Sequence, residues 1–445
     1  MSAIFTVCCI RFYKPHLSTS SDCHASMIIY MLFALHVQAY ANNQHKIADE
    51  MLTNPFLKAM SICEGTVSIL DAGCVVYSRI WCIFELFKSV MGDNSNYEFD
   101  IYTDIDRDRR AVGITHGYSL SDDGSPRLKK NRESKFPLDR ILLATNVDIK
   151  QAQASVESDR KLILNTITGR SVDVPVVDDH DKYDELNNIL RGFFVTPALQ
   201  RIIKEMDVDT ITRCLEIVKA SNARIIHLDL EVCSRFDDVI LIRLADSLPL
   251  TLTEFSLWSR GSSVTVNGMN ACLEKILECP QLVMLDLSYN NIDLVRSRLN
   301  AVAANGMNVS LGQILRCPQL KVSHSISLKT LNLVWNNIGD VGAKTIANAM
   351  KGNRSLVELQ MMDNNIGDVG AKAIADALKD IHSLKHLGLS SNKIGNDGAK
   401  AIADALKGNH SLKSLHFFRN KVKAPSFFRK LKAFGWWVGF DISDC

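Results

Sequence analysis

The chain has 445 residues, 47% of them hydrophobic and 7% aromatic, with 51 Lys and Arg against 49 Asp and Glu. At about 150 residues per domain, that length holds two or three domains, each large enough for its own core. A net charge of +2 excludes a protein that binds polyanions through bulk charge. The hydrophobic content excludes a mostly disordered chain.

Residues 25–41 form the most apolar early stretch, interrupted by His36 and Gln38. A spanning helix needs about 20 apolar residues, and this run is rich in β-formers, so a buried strand or helix is expected instead. No basic region leads into a small-residue cleavage site, so no secretory signal is expected. The twelve cysteines show no C-x-x-C pair. Zinc ligands usually come in such pairs, so the reading is no metal, no cofactor, and free thiols in a reducing cytoplasm.

In residues 56–91, 66–70 read as a strand and Gly73 as a turn. Ser78 is placed to cap a helix from about Arg79 to Met91, with Ile80, Phe84, Phe87 and Met91 as its core stripe. This is a strand–loop–helix unit, the kind that places ligands beyond strand ends in α/β sheets. Its string Ser78, Trp81, Cys82, Glu85 and Leu86 resembles the strand-to-helix motif of TIR and TIR-like domains. Upstream, Gln44 is similar to a residue of related fungal incompatibility domains. The resemblance implies self-association, or NAD glycohydrolase chemistry with Glu85 as the catalytic carboxylate and NAD as substrate.

Residues 97–102 read as an edge strand, and 121–135 as an exposed charged loop. The loop's basic run is Arg127, Lys129, Lys130, Arg132 and Lys135; it could touch phosphates, although no aromatics interleave with it. From Pro137 the pattern is helical, with Gly169 as a stop. Two further helices are expected over 183–191 and 197–206.

The strongest signal is periodic. Leu328, Leu356, Leu384 and Leu412 stand 28 residues apart, each opening a short period-two apolar pattern such as Leu331 and Leu333. Asn336, Asn364, Asn392 and Asn420 follow at a fixed offset, where an amide can use both donor and acceptor on backbone left open by the turning strand. Gly342, Gly370 and Gly398 then lead into helices with apolar residues at helical spacing, as in Ala343, Ile346, Ala347 and Met350. Weaker copies precede them at Leu228–Leu230, Phe255–Leu257 and Leu285–Leu287. Segments starting at Asn267 and Asn305 share an NGMN opening and a C-P-Q-L close. They suggest a local duplication.

This pattern resembles the leucine-rich repeat of ribonuclease-inhibitor type, shared with NOD-like receptors. The expected architecture is α/β throughout: a TIR-like domain over 1–125, a helical connector over 126–207, a repeat solenoid over 208–422 and an aromatic cap over 423–445. Strands would line a concave face exposing Thr330, Asn332 and Val334, then Glu358, Gln360 and Met362, then His386, Gly388 and Ser390, then Ser414, His416 and Phe418. Of these, Asn332, Glu358, Gln360, His386, His416 and Phe418 are the expected partner contacts. With no single-sign charge stripe and no aromatic ladder, a protein partner is favoured over nucleic acid. No membrane contact is expected. The Walker loop and the common hydrolase, metalloprotease and kinase signatures do not occur. The reading is a cytoplasmic adaptor or sensor in signalling or defence.

Overall fold

The computed structural model describes residues 65–91, 98–103, 112–115, 126–290 and 328–423, apart from 71, 155, 277 and 352. The apolar stretch 25–41, Gln44, residues 121–125, the second NGMN copy at Asn305 and residues 424–445 of the expected cap lie outside the described residues. Two compact units make up the chain, 1–198 and 199–445.

In the first unit, strand β1 (Gly65–Leu70) is rich in β-branched residues and buried on both faces, as parallel strands are. It pairs in parallel with β2 (Glu98–Thr103), Thr66 opposite Phe99 and Leu70 opposite Thr103. β2 also pairs, antiparallel, with β3 (Gly113–Ile114). It is therefore the central strand of this sheet, not the edge strand expected at 97–102.

Helix α1 (Ile80–Met91) connects β1 to β2. Ser78 does not cap it: that residue closes a 3-10 turn (Val75–Ser78) and Arg79 is extended. The helix start is instead held by residue 153, whose N–H donates to the Ser78 carbonyl at 2.7 Å and whose carbonyl accepts from Ile80 at 2.9 Å. The buried side of α1 is wider than the expected stripe. Ile83 and Leu86 join Ile80 and Phe84 in the core, while Phe87 and Met91 are half-buried. The cause is packing on two sides, against the sheet and against a later helix, Glu157–Thr168.

The charged segment expected as a loop contains helix α2 (Pro126–Glu133), with proline at the first helical position, where its missing N–H costs nothing. Arg132 donates to the Gly113 carbonyl at 2.6 Å and to Thr115 Oγ1 at 2.9 Å, and Glu133 Oε1 accepts from the Thr115 N–H at 2.9 Å. Arg132 thus completes the edge at β3. Helices α3 (Leu138–Ala144) and α4 (Glu157–Thr168) follow. Gly169 ends α4 at φ 71, the left-handed stop expected of it.

Helix α5 (Asp181–Glu205) is one continuous helix with Pro197 inside it, not the two expected. An interior proline costs about 3 kcal/mol. Burial of Phe194, Val195, Ala198, Leu199, Ile202 and Ile203 around it offsets that cost at roughly 1.5–3 kcal/mol per large apolar side chain.

The second unit is a strand–helix solenoid. Helix α6 (Val208–Ala220) is N-capped by Asp207, which accepts from Thr210 N–H at 2.9 Å. Strands β4 (Ile225–Asp229), β5 (Glu254–Trp258), β6 (Met284–Asp286), β7 (Thr330–Asn332), β8 (Glu358–Gln360), β9 (His386–Gly388) and β10 (Ser414–His416) form one parallel sheet in sequence order. Helices α7 (Asp238–Asp246), α8 (Val266–Ile276), α9 (Gly339–Met350), α10 (Asp368–Leu378) and α11 (Asn396–Leu406) lie between them in the chain. The weak early repeats are thus full members of the sheet. Leu285 sits opposite Leu331 across β6 and β7, although Asp286 and its neighbour Asn332 are 46 residues apart in sequence. Sheet order thus continues directly from β6 to β7 across this longer sequence interval.

Two ladders join successive repeats. The strand-end asparagines use both amide groups on backbone, as expected, and that backbone belongs to the repeat before their own: Asn392 Oδ1 accepts from Asn364 and Ile366 N–H at 3.0 Å, and its Nδ2 donates to the Met361 carbonyl at 2.9 Å. A second ladder was not foreseen. Asp340 Oδ1 accepts from Gly367 and Gly370 N–H at 2.7 and 2.8 Å, and Asp368 does the same for Gly395 and Gly398. The starts of α10 and α11, with their unsatisfied N–H groups and positive dipole ends, are each capped by a carboxylate of the preceding repeat.

Candidate functional site

Alternation along the solenoid strands leaves Leu331, Leu359, Leu387 and Leu415 buried on the helix side. On the other face, Asn332, Glu358, Gln360, His386, His416 and Phe418 are all half-exposed, so the six expected contacts share one open face. They are not loose. Asn332 Nδ2 donates to Asp286 Oδ2 at 3.0 Å, its Oδ1 accepts from Val334 N–H at 3.2 Å, and His386 Nδ1 lies 2.7 Å from Ser414 Oγ. Gly388 and Ser390, expected on the same face as exposed, are buried. The reason is a neighbour: Gln360, opposite Gly388, lays its side chain over the missing β-carbon.

The same register extends the face to residues the sequence reading had not placed on it. His227, Glu254, Ser256, Trp258 and Asp286 occupy equivalent positions on β4, β5 and β6. His227 Nδ1 lies 2.7 Å from Ser256 Oγ, and its Nε2 lies 3.7 Å from Glu254 Oε2. The alternation around Leu228, Leu257 and Leu287 was the available signal.

At the strand ends, Tyr289 and Trp335 adopt left-handed backbone, φ 57 and 59. Their rings stack at 6.1 Å, and Tyr289 also meets Trp258 at 5.9 Å. The Arg260 guanidinium lies 5.4 Å from the Trp335 ring centre, within cation–π range. Trp335 is 44% exposed. Tryptophan, tyrosine and arginine are the residues that most often dominate protein interfaces.

In the first unit, Glu85 on α1 is 8% exposed. It lines a cavity of about 10 Å³ with Thr66, Ser68, Tyr77, Cys82, Leu86 and Phe99, a space for about one water molecule. Around it the polar groups serve one another: Tyr77 Oη donates to Ser68 Oγ at 3.0 Å, and Ser89 Oγ lies 2.8 Å from both Thr66 Oγ1 and the Glu85 carbonyl. Burial drives the Tyr77 phenol far above its ordinary range. Trp81, of the same Ser78–Leu86 string, donates to Asp159 Oδ2 at 3.2 Å. Cys82 is buried in the core.

Residues 324–347, 352–375 and 381–403 match the leucine-rich repeat family, so the C-terminal repeats are leucine-rich repeats. No curated protein matches the chain. Among solved structures, actin-binding site 2 of leiomodin-1 is 18% identical and covers 38% of this chain and 87% of its own, with a TM-score of 0.28. An internalin from Listeria monocytogenes str. 4b F2365 is 13% identical, covering 67% and 93% respectively, with a TM-score of 0.30.

Proposed function

We propose that this chain is a protein-binding adaptor or sensor whose partner docks on the open, concave face of the repeat sheet. The observation that carries the reading is the composition of that face. The strands present half-exposed polar side chains, among them His227, Asn332, Gln360 and His386 already bonded to neighbours, beside a Trp258–Tyr289–Trp335 cluster with Arg260 on it. A pre-organised polar surface with an aromatic and arginine anchor limits the entropy lost on docking. The first unit, read as TIR-like from the Ser78–Leu86 string, would supply self-association, and the whole would act in cytoplasmic signalling or defence.

The test is affinity capture from the native cell with the full chain, comparing wild type with Trp335→Asp and with the pair Asn332→Lys, His416→Glu. A defined protein set retained by wild type and lost by both face variants supports the reading. Retention unchanged by either variant overturns it.

A further inference from the structure

The notch over Gly388 gives the proposed face a more specific chemistry, which rests on the reading above. Gly388 stands on β9 directly opposite Gln360 on β8. A β-carbon added there would meet Gln360 Cδ at 2.9 Å and Met362 Cγ at 3.3 Å, so the glutamine side chain fills space that a side chain of β9 would otherwise hold. That placement leaves Gln360 Oε1 buried with no hydrogen-bond partner. Two residues along, Ser390 is fully buried on the same face, and its Oγ also lacks a partner. A buried polar group without a partner is costly, so each such atom in a folded protein calls for an explanation.

The third group is Glu358. Its Oε1 accepts from Gln360 Nε2 at 2.9 Å, and its carboxylate makes no ion pair among the described residues. The nearby turn cation, Arg419, faces Asp363 instead. The space over Gly388 therefore holds an amide carbonyl tied to a carboxylate, with a buried hydroxyl two residues further along the chain. Met362 on β8's side and Phe418 on β10's side are the half-exposed apolar residues flanking it.

We infer that this notch receives a basic side chain of the protein partner, arginine fitting best. Among the described residues the Gln360 side chain is held through Nε2 on Glu358, so a cation that takes over that carboxylate releases it while Gly388 leaves room beneath. An incoming arginine lays its apolar stem between Met362 and Phe418. Its guanidinium carries five N–H donors in a planar fork, which matches an array of acceptors and pairs with the Glu358 carboxylate. An acidic side chain would meet Glu358 as a like charge and leave the Gln360 carbonyl unmatched.

The experiment immobilises the full chain, selects binders from a displayed random-peptide library, and synthesises the winners. The expected result is a recurrent arginine or lysine whose replacement by citrulline or norleucine weakens binding at least tenfold. Gly388→Ala, which fills the notch, should weaken the same peptides at least tenfold, and Glu358→Gln several-fold, with urea midpoints showing that both variants fold. Winners that lack a basic residue, or that bind Gly388→Ala unchanged, overturn the notch while leaving the face as the docking surface. A library yielding no peptide that Trp335→Asp or Phe418→Asp displaces overturns both.

Discussion

Asn364 carries the backbone of Asn336 in the preceding repeat. Its Oδ1 accepts from Asn336 N–H at 3.0 Å and from Ile338 N–H at 3.2 Å, while its Nδ2 donates to the Leu333 carbonyl at 2.7 Å. The side chain is fully buried, so nothing but this amide can satisfy those groups. Asn364→Ala is expected to lose on the order of 3 kcal/mol, since each orphaned buried group costs about 1–3 kcal/mol. Urea unfolding followed by circular dichroism should show the midpoint fall, and Asn364→Asp should not restore it, because a carboxylate cannot donate to Leu333.

The aspartate ladder makes a separate claim about Gly398. A β-carbon there would sit 2.7 Å from Asp368 Oδ1, 2.8 Å from Ala371 Cβ and 2.8 Å from Ile394 Cγ2. One of these must move, and two belong to the fully buried side chains Ala371 and Ile394. Gly398→Ala should therefore destabilise by about 1–3 kcal/mol, despite alanine's better helix propensity. Gly408→Ala, with nothing within 4 Å of the added atom, serves as the control and should change thermal stability little.

Cysteine reactivity should divide by burial. Burial pushes the Cys272 thiol up to about 12 and those of Cys214 and Cys279 up to about 11. A raised value means the neutral thiol persists at pH 8, and the thiolate is the nucleophile. Cys233 is only half-buried. Brief iodoacetamide treatment at pH 8, read by peptide mass spectrometry, should label Cys233 more than tenfold faster than the other three, with the difference erased in urea.

The TIR resemblance of the α1 string puts a measurable demand on Glu85. Beside it is room for about one water, far less than a nicotinamide riboside needs. The full chain incubated with NAD is expected to release no more nicotinamide than Glu85→Gln does. Release by wild type that Glu85→Gln abolishes would show that this unit opens to admit the dinucleotide.

Much of the second unit was legible because each repeat states its period three times over, in leucines, asparagines and a glycine, although Gly342, Gly370 and Gly398 stand in the first turn of their helices and not before them. The notch at Gly388 was not. Its filling depends on which residue stands opposite in the next repeat, and register emerges only when strands pair. Composition misled elsewhere. The charged, glycine- and proline-containing run before Phe136 reads as a loop, yet Arg132 and Glu133 hold a helix there by bonding the edge at β3. Pro197 reads as a break, yet burial of Phe194 and Ile202 around it carries the helix through. Of the open face proposed for docking, the last four strands were readable, whereas Trp258, Tyr289 and Trp335 come together only through neighbouring repeats.

The most direct measurement of the central claim is site-specific photo-crosslinking in the native cell. A benzophenone amino acid is placed at Asn332 or His416 on the open face, and at Lys344 or Lys400 on the helices. The account predicts discrete protein adducts from both face positions and none of the same mass from the helix positions. Adducts from the helix positions alone, or none from the face in cells where the protein is active, would contradict it.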